Sequence, residues 1–246
     1  MTKKAPLLGI LGGLGPMSTV YFCELLISHT KAESDADHID MLISSRATTP
    51  DRTAFILGKS DRDPLPVMKE EALRLFKAGV DRIVIPCNTA HYFYDGLCQD
   101  LPVPLINIIE ETVLHLKRRG ITTFGLLATE GTVKSQAYKK ICQRNGISCI
   151  TPSEEQQARV SAIIYEQIKQ NRPADTEALL AISRDLLERG CEAIVLGCTE
   201  LSLLKPTLSD KLPFVDSLEI LAYQTILACG KTPIGFPDEF EEETEP

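Results

Sequence analysis

Two twelve-residue stretches, AGVDRIVIPCNT at 78–89 and RGCEAIVLGCTE at 189–200, align without a gap. Each carries a glycine, then a short apolar run, and then a cysteine, Cys87 in the first and Cys198 in the second. A short apolar run of this kind is typical of a strand buried in a parallel sheet. The two stretches lie 111 residues apart and indicate a repeated structural unit.

The sequence on either side repeats in the same order. LLGILGG (7–13) resembles TFGLLAT (123–129), and VPLINIIEE (103–111) resembles LPFVDSLEI (212–220). Three matches in one order favour a duplicated α/β unit. The simpler alternative is the general likeness of any two strand–turn–helix units.

Short β-branched runs alternate with longer helical patterns along the whole chain. Strands are predicted at 7–11, 39–44, 81–86, 104–108, 123–128, 147–150, 192–197 and 213–216. Helices are predicted at 17–30, 64–78, 108–119, 132–145, 154–170, 175–189 and 217–229. This alternation predicts an α/β fold of two similar parallel-sheet domains related by a pseudo-twofold duplication, with the active site in the cleft between them.

Composition limits the class of protein. The chain has 246 residues, of which 43% are hydrophobic and 24% charged, so it can form a large globular core. Its net charge of −8 argues against a nucleic-acid partner, which favours a surplus of Lys and Arg. No apolar run reaches membrane-spanning length, and the apolar start is broken by glycines and Pro16, unlike a signal peptide. These observations predict a soluble, cytoplasmic protein.

The acidity is concentrated at one end of the chain. Residues 237–246, PDEFEEETEP, hold six acidic residues and no basic one, which leaves 28 acidic and 26 basic residues elsewhere. Such a run buries too little apolar surface to offset its ordering entropy. We therefore predict a disordered acidic tail at 237–246.

The eight cysteines do not form a recognisable framework. They are Cys23, Cys87, Cys98, Cys142, Cys149, Cys191, Cys198 and Cys229. No C-x-x-C spacing occurs, and no histidine lies near the Cys191–Cys198 pair, so a zinc site is not expected. A lone buried cysteine is usually a small apolar filler, and that interpretation covers all but Cys87 and Cys198.

The repeat indicates a chemical role for Cys87 and Cys198. Each follows the carboxyl end of a predicted parallel strand, where ligands bind in such sheets. If the two halves face each other, the two thiols lie on opposite sides of one cleft. One thiolate could then remove a proton from a carbon while the other thiol returns one on the opposite face, which inverts the carbon.

The carbanion between these two steps needs hydrogen-bond donors aimed at the adjacent carboxylate. Asn88, Thr89 and Thr199 directly follow the cysteines and could supply them. His91 could relay protons, although a lone histidine is more commonly structural. Arg52 in a polar loop and Lys169 at a helix end are explained without a ligand by solvation and by the helix dipole.

Five motifs together resemble the aspartate/glutamate racemase superfamily, and most of all its aspartate racemase branch. They are GILGGLGPMST (9–19), TPDRT (49–53), IPCNTAHYFYD (85–95), LLATEGTVKS (126–135) and LGCTEL (196–201). The resemblance implies a 1,1-proton transfer at the α-carbon of an acidic amino acid, with Cys87 and Cys198 as the acid/base pair. It implies no cofactor and no metal, and commonly a homodimer.

The resemblance also implies roles for further residues. Asn88, Thr89, Thr129 and Thr199 would hold the α-carboxylate and amino group, Gly12 and Met17 would line the cleft, and Arg52 and Lys169 would meet the distal carboxylate. A bidentate guanidinium suits that last role. The family's two-domain fold implies a first domain of 1–103 plus 212–236 and a second domain of 104–211.

Two departures from the family patterns bear on specificity. GGLGP at 12–16 and Glu200 after Thr199 differ from glutamate racemases, whereas SSRATT at 44–49 differs from aspartate racemases and adds Arg46 at the expected substrate end. The leading hypothesis is a PLP-independent aspartate racemase. The alternatives are an isomerase of another small carboxylate (a broad-specificity amino-acid racemase, or a maleate or hydantoin type) and a non-catalytic binder of acidic amino acids.

Overall fold

The computed structural model describes residues 5–208, 212–237 and 240. It contains two four-stranded parallel sheets with the same strand order, β2-β1-β3-β4 and β6-β5-β7-β8. The strands are β1 (Leu8–Gly12), β2 (Met41–Ser45), β3 (Arg82–Val84), β4 (Leu105–Ile106), β5 (Thr123–Leu127), β6 (Ser148–Ile150), β7 (Ala193–Leu196) and β8 (Phe214–Asp216). All eight predicted strands are present, and the predicted α/β class with two similar parallel sheets is confirmed.

Helices cover the sheets and connect successive strands. They are α1 (Pro16–Ser28), α2 (Arg52–Ile56), α3 (Leu65–Lys77), α4 (Tyr94–Cys98), α5 (Ile108–Arg118), α6 (Glu130–Ser135), α7 (Ala137–Asn145), α8 (Glu154–Ala162), α9 (Thr176–Glu188), α10 (Thr199–Ser202), α11 (Lys205–Leu208) and α12 (Ser217–Ala228). None of the helices in the described part of the chain is long and apolar enough to cross a membrane.

Two predicted helices are irregular in the structure. The pattern at 132–145 is split because Gln136 adopts a left-handed conformation (φ 57°), a break that neither glycine nor proline announces. The pattern at 154–170 begins as α8, widens into a π-helical turn at Ile163–Gln167 and ends in a 3-10 turn at Ile168–Gln170. This irregular end carries Tyr165 and Lys169, which both line the cavity described below.

The chain crosses between the two halves after the last strand of each sheet. Strand β4 pairs with β3, yet the helix that follows it, α5, packs against α7 of the second half. Likewise, β8 pairs with β7, yet α12 packs against α1 of the first half. A division at residues 104 and 212 would assign β4 to the second domain and β8 to the first. The sheets differ from this division, because β4 completes the hydrogen-bond ladder of the first sheet and β8 that of the second. The crossings lie at Asn107 and Asp216, the N-cap residues of α5 and α12.

The sheets are packed through equivalent glycines of the two repeats. A Cβ atom on Gly125 of β5 would lie 2.8 Å from Cδ1 of Ile194 and 3.0 Å from Cβ of Leu186. On Gly9 of β1, a Cβ atom would lie 3.2 Å from Cγ1 of Ile83, the repeat equivalent of Ile194. The absence of a side chain at each glycine thus leaves space for an isoleucine side chain of the neighbouring strand.

We expect Gly125→Ala to lower the free energy of unfolding by about 1–3 kcal/mol, because overpacking displaces side chains in a close-packed core. Gly9→Ala is the matched control and should cost less, since its nearest contact is 3.1 Å rather than 2.8 Å. Denaturant unfolding of both variants measures the difference. Equal losses would contradict this packing argument.

Most of the predicted acidic tail lies outside the described residues, including 238, 239 and 241–246. Within it, Phe240 is buried, and its carbonyl accepts a hydrogen bond from the Tyr223 hydroxyl (2.8 Å). Its ring lies 4.6 Å from the His115 ring, measured between centroids. One aromatic side chain of the acidic segment is therefore attached to the core.

Candidate active site

The two repeated cysteines line one cavity at the carboxyl ends of β3 and β7. Cys87 lies three residues beyond β3 and Cys198 two residues beyond β7, and both side chains are buried. The cavity wall contains both thiol-bearing residues. The structure therefore brings the two repeats' cysteines to a common space, as strand-end placement in parallel sheets requires.

Eight of the ten residues expected at the site line this cavity. They are Arg52, Cys87, Asn88, Thr89, Thr129, Lys169, Cys198 and Thr199. Sequence reasoning missed five other lining residues: Leu14, Asp51, Thr53, Tyr165 and Glu200. Leu14, Asp51, Thr53 and Glu200 are next to residues or turns that the sequence motifs had indicated, so closeness to a motif could have identified them. Tyr165 had no such signal.

Gly12 and Met17 do not line the cavity. Gly12 is buried at the end of β1, but a Cβ atom there would lie 2.4 Å from Cγ2 of Thr19, so the threonine fills the space beside it. Met17 is 55% exposed on α1, one residue after the proline that begins the helix. The motif places both residues near the turn, but α1 directs Met17 to the surface, and Leu14 contributes to the cavity wall instead.

The side chain of Asn88 is oriented by a defined hydrogen-bond chain. Ser217 donates its only hydroxyl proton to the carbonyl of Leu196 (2.7 Å), so its oxygen accepts from Nδ2 of Asn88 (2.9 Å). The Tyr138 hydroxyl donates to Oδ1 of Asn88 (2.7 Å). One amide hydrogen of Asn88 is left over, and it is a donor available at the cavity wall.

Three threonine hydroxyls, one from the first half and two from the second, form a triangle at the cavity. Thr89 Oγ1 lies 2.9 Å from both Thr129 Oγ1 and Thr132 Oγ1, and these last two oxygens are 3.0 Å apart. A hydroxyl can rotate, so one of these bonds can be exchanged for a bond to a substrate oxygen. The buried Oγ1 of Thr199, another cavity-lining residue, has no hydrogen-bond partner among the described residues.

Arg52 is a buried cation that, among the described residues, donates hydrogen bonds to backbone carbonyls only. Its Nη1 donates to Pro50 (3.0 Å) and, at a longer 3.3 Å, to Thr49, while its Nη2 donates to Leu14 (3.1 Å). Its Nε has no partner, and no carboxylate lies within ion-pair distance of Arg52 among the residues described. Because a buried charge is costly without a counter-ion, this guanidinium favours an anionic ligand.

Lys169, by contrast, already has a counter-ion. Its Nζ lies 2.9 Å from Oε1 of Glu200, and the other carboxylate oxygen accepts a hydrogen bond from the Cys198 thiol, with Sγ and Oε2 3.1 Å apart. Burial alone would lower the pKa of the Lys169 ammonium, but Glu200 raises it above its ordinary value. Thiol, carboxylate and ammonium thus form a continuous chain along one wall.

Both thiols are held in their protonated form. Burial raises the pKa of Cys87, although Arg52 opposes this rise and Glu200 adds to it. Burial raises the pKa of Cys198 further above its ordinary value, and the Glu200 carboxylate adds to the effect. The two cysteines are therefore electrostatically unequal. Arg52 is the main cation that favours the thiolate of Cys87, whereas Cys198 has Glu200 within hydrogen-bond distance to favour its thiol and Lys169 to oppose that effect.

His91 is structural rather than a proton relay. Its Nε2 accepts from the backbone N–H of Ile108 (3.3 Å), so Nδ1 carries the proton and donates to the carbonyl of Cys87 (2.9 Å). Burial lowers the pKa of His91 to about 4, so the ring stays neutral at neutral pH. It connects the cysteine turn to the start of α5.

Arg46 does not reach the cavity, contrary to the expectation from the SSRATT segment. Its Nη1 lies 2.8 Å from Oε2 of Glu70 and 2.7 Å from Oε1 of Glu71, and it is absent from the cavity wall. Glu71 is buried on α3 and needs a cation, which explains the pairing.

Within residues 5–208, 212–237 and 240, no group of three His, Cys, Asp or Glu side chains is arranged to hold a metal ion.

The cavity is closed to an amino acid in this conformation. Its free volume is ≈ 10 Å³, about the space that a single water molecule needs. A second cleft of ≈ 1150 Å³ lies beside it, and Asp51, Thr53 and Tyr165 line both. These three residues form the wall between the small cavity and the larger cleft.

Comparison with known proteins is consistent with this geometry. The model of the Asp/Glu/Hydantoin racemase family matches residues 11–225. The broad specificity amino-acid racemase RacX of Bacillus subtilis (strain 168) is 32% identical over 226 residues, which cover 89% of this chain and 96% of the relative.

Solved structures agree with the family match. The structure of the Picrophilus torridus aspartate racemase matches with a TM-score of 0.80 and 29% identity, over 96% of this chain and 98% of the other. An aspartate racemase homologue from Pyrococcus horikoshii OT3 shares the fold, with a TM-score of 0.75 and 24% identity over 92% of this chain and 99% of that one. The chain therefore belongs to the Asp/Glu/Hydantoin racemase family, on its aspartate racemase branch, and is a cofactor-independent amino-acid racemase.

Proposed function

We propose that this chain interconverts L- and D-aspartate, or a closely related acidic amino acid, by proton transfer between Cys87, the α-carbon and Cys198. The observation that carries the proposal is the common cavity of the two buried cysteines, with the buried Arg52 beside them and no carboxylate on that guanidinium among the described residues. The thiols supply the acid and the base, and Arg52 supplies the charge that a distal carboxylate needs.

The neutral donors support a substrate carboxylate near the thiols. The free amide hydrogen of Asn88, the unpartnered hydroxyl of Thr199 and the rotatable hydroxyls of Thr89 and Thr129 all belong to cavity-lining residues. Donors at an α-carboxylate stabilise the negative charge that develops when the α-proton leaves. The buried hydroxyl of Thr199 costs free energy while unpartnered, which is consistent with a role in binding a ligand.

A racemase with a broader side-chain range is the second candidate. It is favoured by the ion pair between Lys169 and Glu200, because this pair neutralises one of the two cations expected to meet a distal carboxylate. The four charged residues of the cavity wall, Arg52, Lys169, Asp51 and Glu200, sum to zero, which also suits a neutral zwitterion. The name of the Bacillus subtilis relative agrees with a broad range.

The wall must move before any substrate enters. An amino acid is far larger than the free volume between the cysteines. Because Asp51, Thr53 and Tyr165 line both this cavity and the larger cleft, we expect opening at these three residues. A homodimer stays a prediction from the family resemblance, and a cytoplasmic location stays a prediction from the sequence.

We expect the protein to racemise single enantiomers of aspartate in D₂O with one α-deuterium gained per inversion. The measurement is chiral chromatography with mass spectrometry on separate enantiomers of aspartate, glutamate, alanine and lysine. A kcat/KM that is highest for aspartate supports the acidic substrate, whereas similar values across the panel support the broad-range racemase. The Cys87→Ala/Cys198→Ala double variant is the control.

Two further outcomes would contradict the proposal. Tight binding of aspartate without any α-deuterium exchange would favour the non-catalytic binder. Exchange with none of the four amino acids, together with turnover of maleate or a hydantoin, would favour an isomerase of another small carboxylate.

A further inference from the structure

One carboxylate contacts a cysteine thiol on one side and a lysine on the other. Oε2 of Glu200 accepts the Cys198 thiol at 3.1 Å, and Oε1 lies 2.9 Å from Nζ of Lys169. Glu200 is buried and lines the cavity. Gly15 leaves room for it, because a Cβ atom at Gly15 would lie 2.8 Å from Oε1.

The repeat shows that only one cysteine has such a partner. The 111-residue offset that relates Cys87 to Cys198 also relates Thr89 to Glu200. The Thr89 hydroxyl is engaged with two other threonines, and among the described residues no carboxylate accepts a hydrogen bond from the Cys87 thiol. The duplication has therefore diverged at the residue that faces the thiol.

The chemistry requires one thiol to lose its proton inside a closed space. Burial raises the pKa of both cysteines, so both are protonated at neutral pH, and a thiol is not a base. In the closed conformation the cavity holds about one water's volume, which leaves little room there for solvent as the acceptor. A carboxylate at hydrogen-bond distance is an acceptor that is already in place.

We propose that Glu200 is the positioning and proton-accepting partner of Cys198, and this rests on the proposed two-cysteine racemisation. The S–H bond of Cys198 breaks and an O–H bond forms on Oε2, which leaves a thiolate beside a neutral carboxyl. The thiolate then takes the substrate's α-proton, and the Cys87 thiol gives its proton to the opposite face of the carbon. The products are the other enantiomer, a Cys198 thiol, a Cys87 thiolate and a neutral Glu200 carboxyl, so no proton is gained or lost. The proton on Glu200 returns to Cys87 before the next turnover in the same direction.

Lys169 connects this transfer to substrate binding. In the free protein, its ammonium stabilises the charged form of Glu200, and it also opposes the rise in the pKa of Cys198 that burial and Glu200 cause. A substrate carboxylate that pairs with Lys169 would draw the ammonium away and leave Glu200 facing the thiol alone. Because Lys169 contacts Glu200 directly and interacts less strongly with Cys198, its removal would raise the proton affinity of the carboxylate more than that of the thiolate, and transfer to Glu200 would be favoured when substrate is present.

Other charged and titratable groups face Glu200 across the cavity and from the packed elements. They are Cys87, Arg52, Asp51 and Tyr165 on the cavity wall. Asp216, at the N-terminus of the packed helix α12, accepts from Ser202 at the end of α10. None of these contacts Oε2, so the thiol is the group that shares a proton with it. Removing the carboxylate should therefore alter proton transfer at Cys198 before any other site.

The first test is the pH profile of Glu200→Gln, which keeps the shape of the side chain. An internal transfer leaves the wild-type kcat/KM nearly flat over about pH 6–8, since no proton leaves the site. The variant must lose a thiol proton to solvent, so its kcat/KM should rise roughly tenfold per pH unit. Glu130→Gln, on the neighbouring cleft, is the control and should match the wild type.

The second test separates the two cysteines. In Cys87→Ala, Cys198 alone can exchange the α-hydrogen of one enantiomer with D₂O without inversion, and adding Glu200→Gln should lower this exchange roughly tenfold or more. In Cys198→Ala, Cys87 exchanges the other enantiomer, and the same addition should have little effect. If Glu200 had only a structural role, adding Glu200→Gln would lower the exchange in both single-cysteine variants by a similar factor.

The outcomes distinguish this inference from the proposed function. A wild type that racemises while Glu200→Gln keeps its activity and its flat profile would overturn only the role of Glu200. A wild-type profile that itself rises tenfold per unit, or equal losses in both single-cysteine variants, would also overturn it. A wild type that exchanges no amino acid of the panel would overturn the two-cysteine racemisation, and the role of Glu200 with it.

Discussion

Replacing Cys87 or Cys198 with alanine is expected to lower racemisation by roughly 10²–10⁴-fold, the range typical of a lost general acid or base. Both cysteines are buried in the wall of one cavity, and each is needed in every turnover because one removes a proton and the other returns one. Loss of either therefore slows inversion in both directions. The measurement is the initial rate of optical change with each enantiomer.

The matched control is Cys191→Ala. Cys191 is as buried as Cys87, at 6% exposure, but it precedes β7 and is absent from the cavity wall. This variant should keep wild-type turnover and lose only a modest amount of stability. A near-wild-type rate in either Cys87→Ala or Cys198→Ala would contradict the two-cysteine mechanism.

The second large effect is expected at Arg52. Substituting Arg52 with alanine should lower kcat/KM for aspartate by about 10- to 10²-fold, the equivalent of a charge-assisted hydrogen bond worth about 1.5–3 kcal/mol. Arg52→Lys should recover only part of this loss, because a lysine keeps the charge but not the planar fork. Steady-state kinetics with aspartate measures both.

Alanine as a substrate tests the specific role of Arg52. The guanidinium also donates to the carbonyls of Leu14 and Pro50, so its removal disturbs the wall for any substrate. A larger loss for aspartate than for alanine isolates the distal carboxylate. Equal losses would make Arg52 a structural residue of the wall, and an unchanged kcat/KM would remove it from the site altogether.

The sequence by itself determined the strands, the duplication and the eight cavity residues that its motifs carry. The reason is local, because each strand is a short apolar run and each cysteine follows one directly. The carboxyl ends of parallel strands share one edge of a sheet, so placement at a strand end was enough to predict a common site. The repeat then predicted that Cys87 and Cys198 belong together.

The tertiary structure alone decided how the remaining residues are used. Gly12 and Met17 belong to the same motif as Leu14, but the direction of α1 and the packing of Thr19 exclude both from the cavity. Arg46 and Arg52 are both arginines in one polar segment. The buried Glu71 of α3 pairs with Arg46, and no carboxylate of the described chain pairs with Arg52.

The tertiary structure alone also decided the pairing of Lys169 with Glu200. Lys169 and Glu200 are 31 residues apart in the sequence, and only the irregular end of the helix after α8 brings the ammonium to the carboxylate beside Cys198. An ion pair depends on the positions of two side chains from different elements, which periodicity and spacing do not encode. The sequence thus determined which residues surround the substrate space, and the packing of the two halves decided which of their charges are already paired.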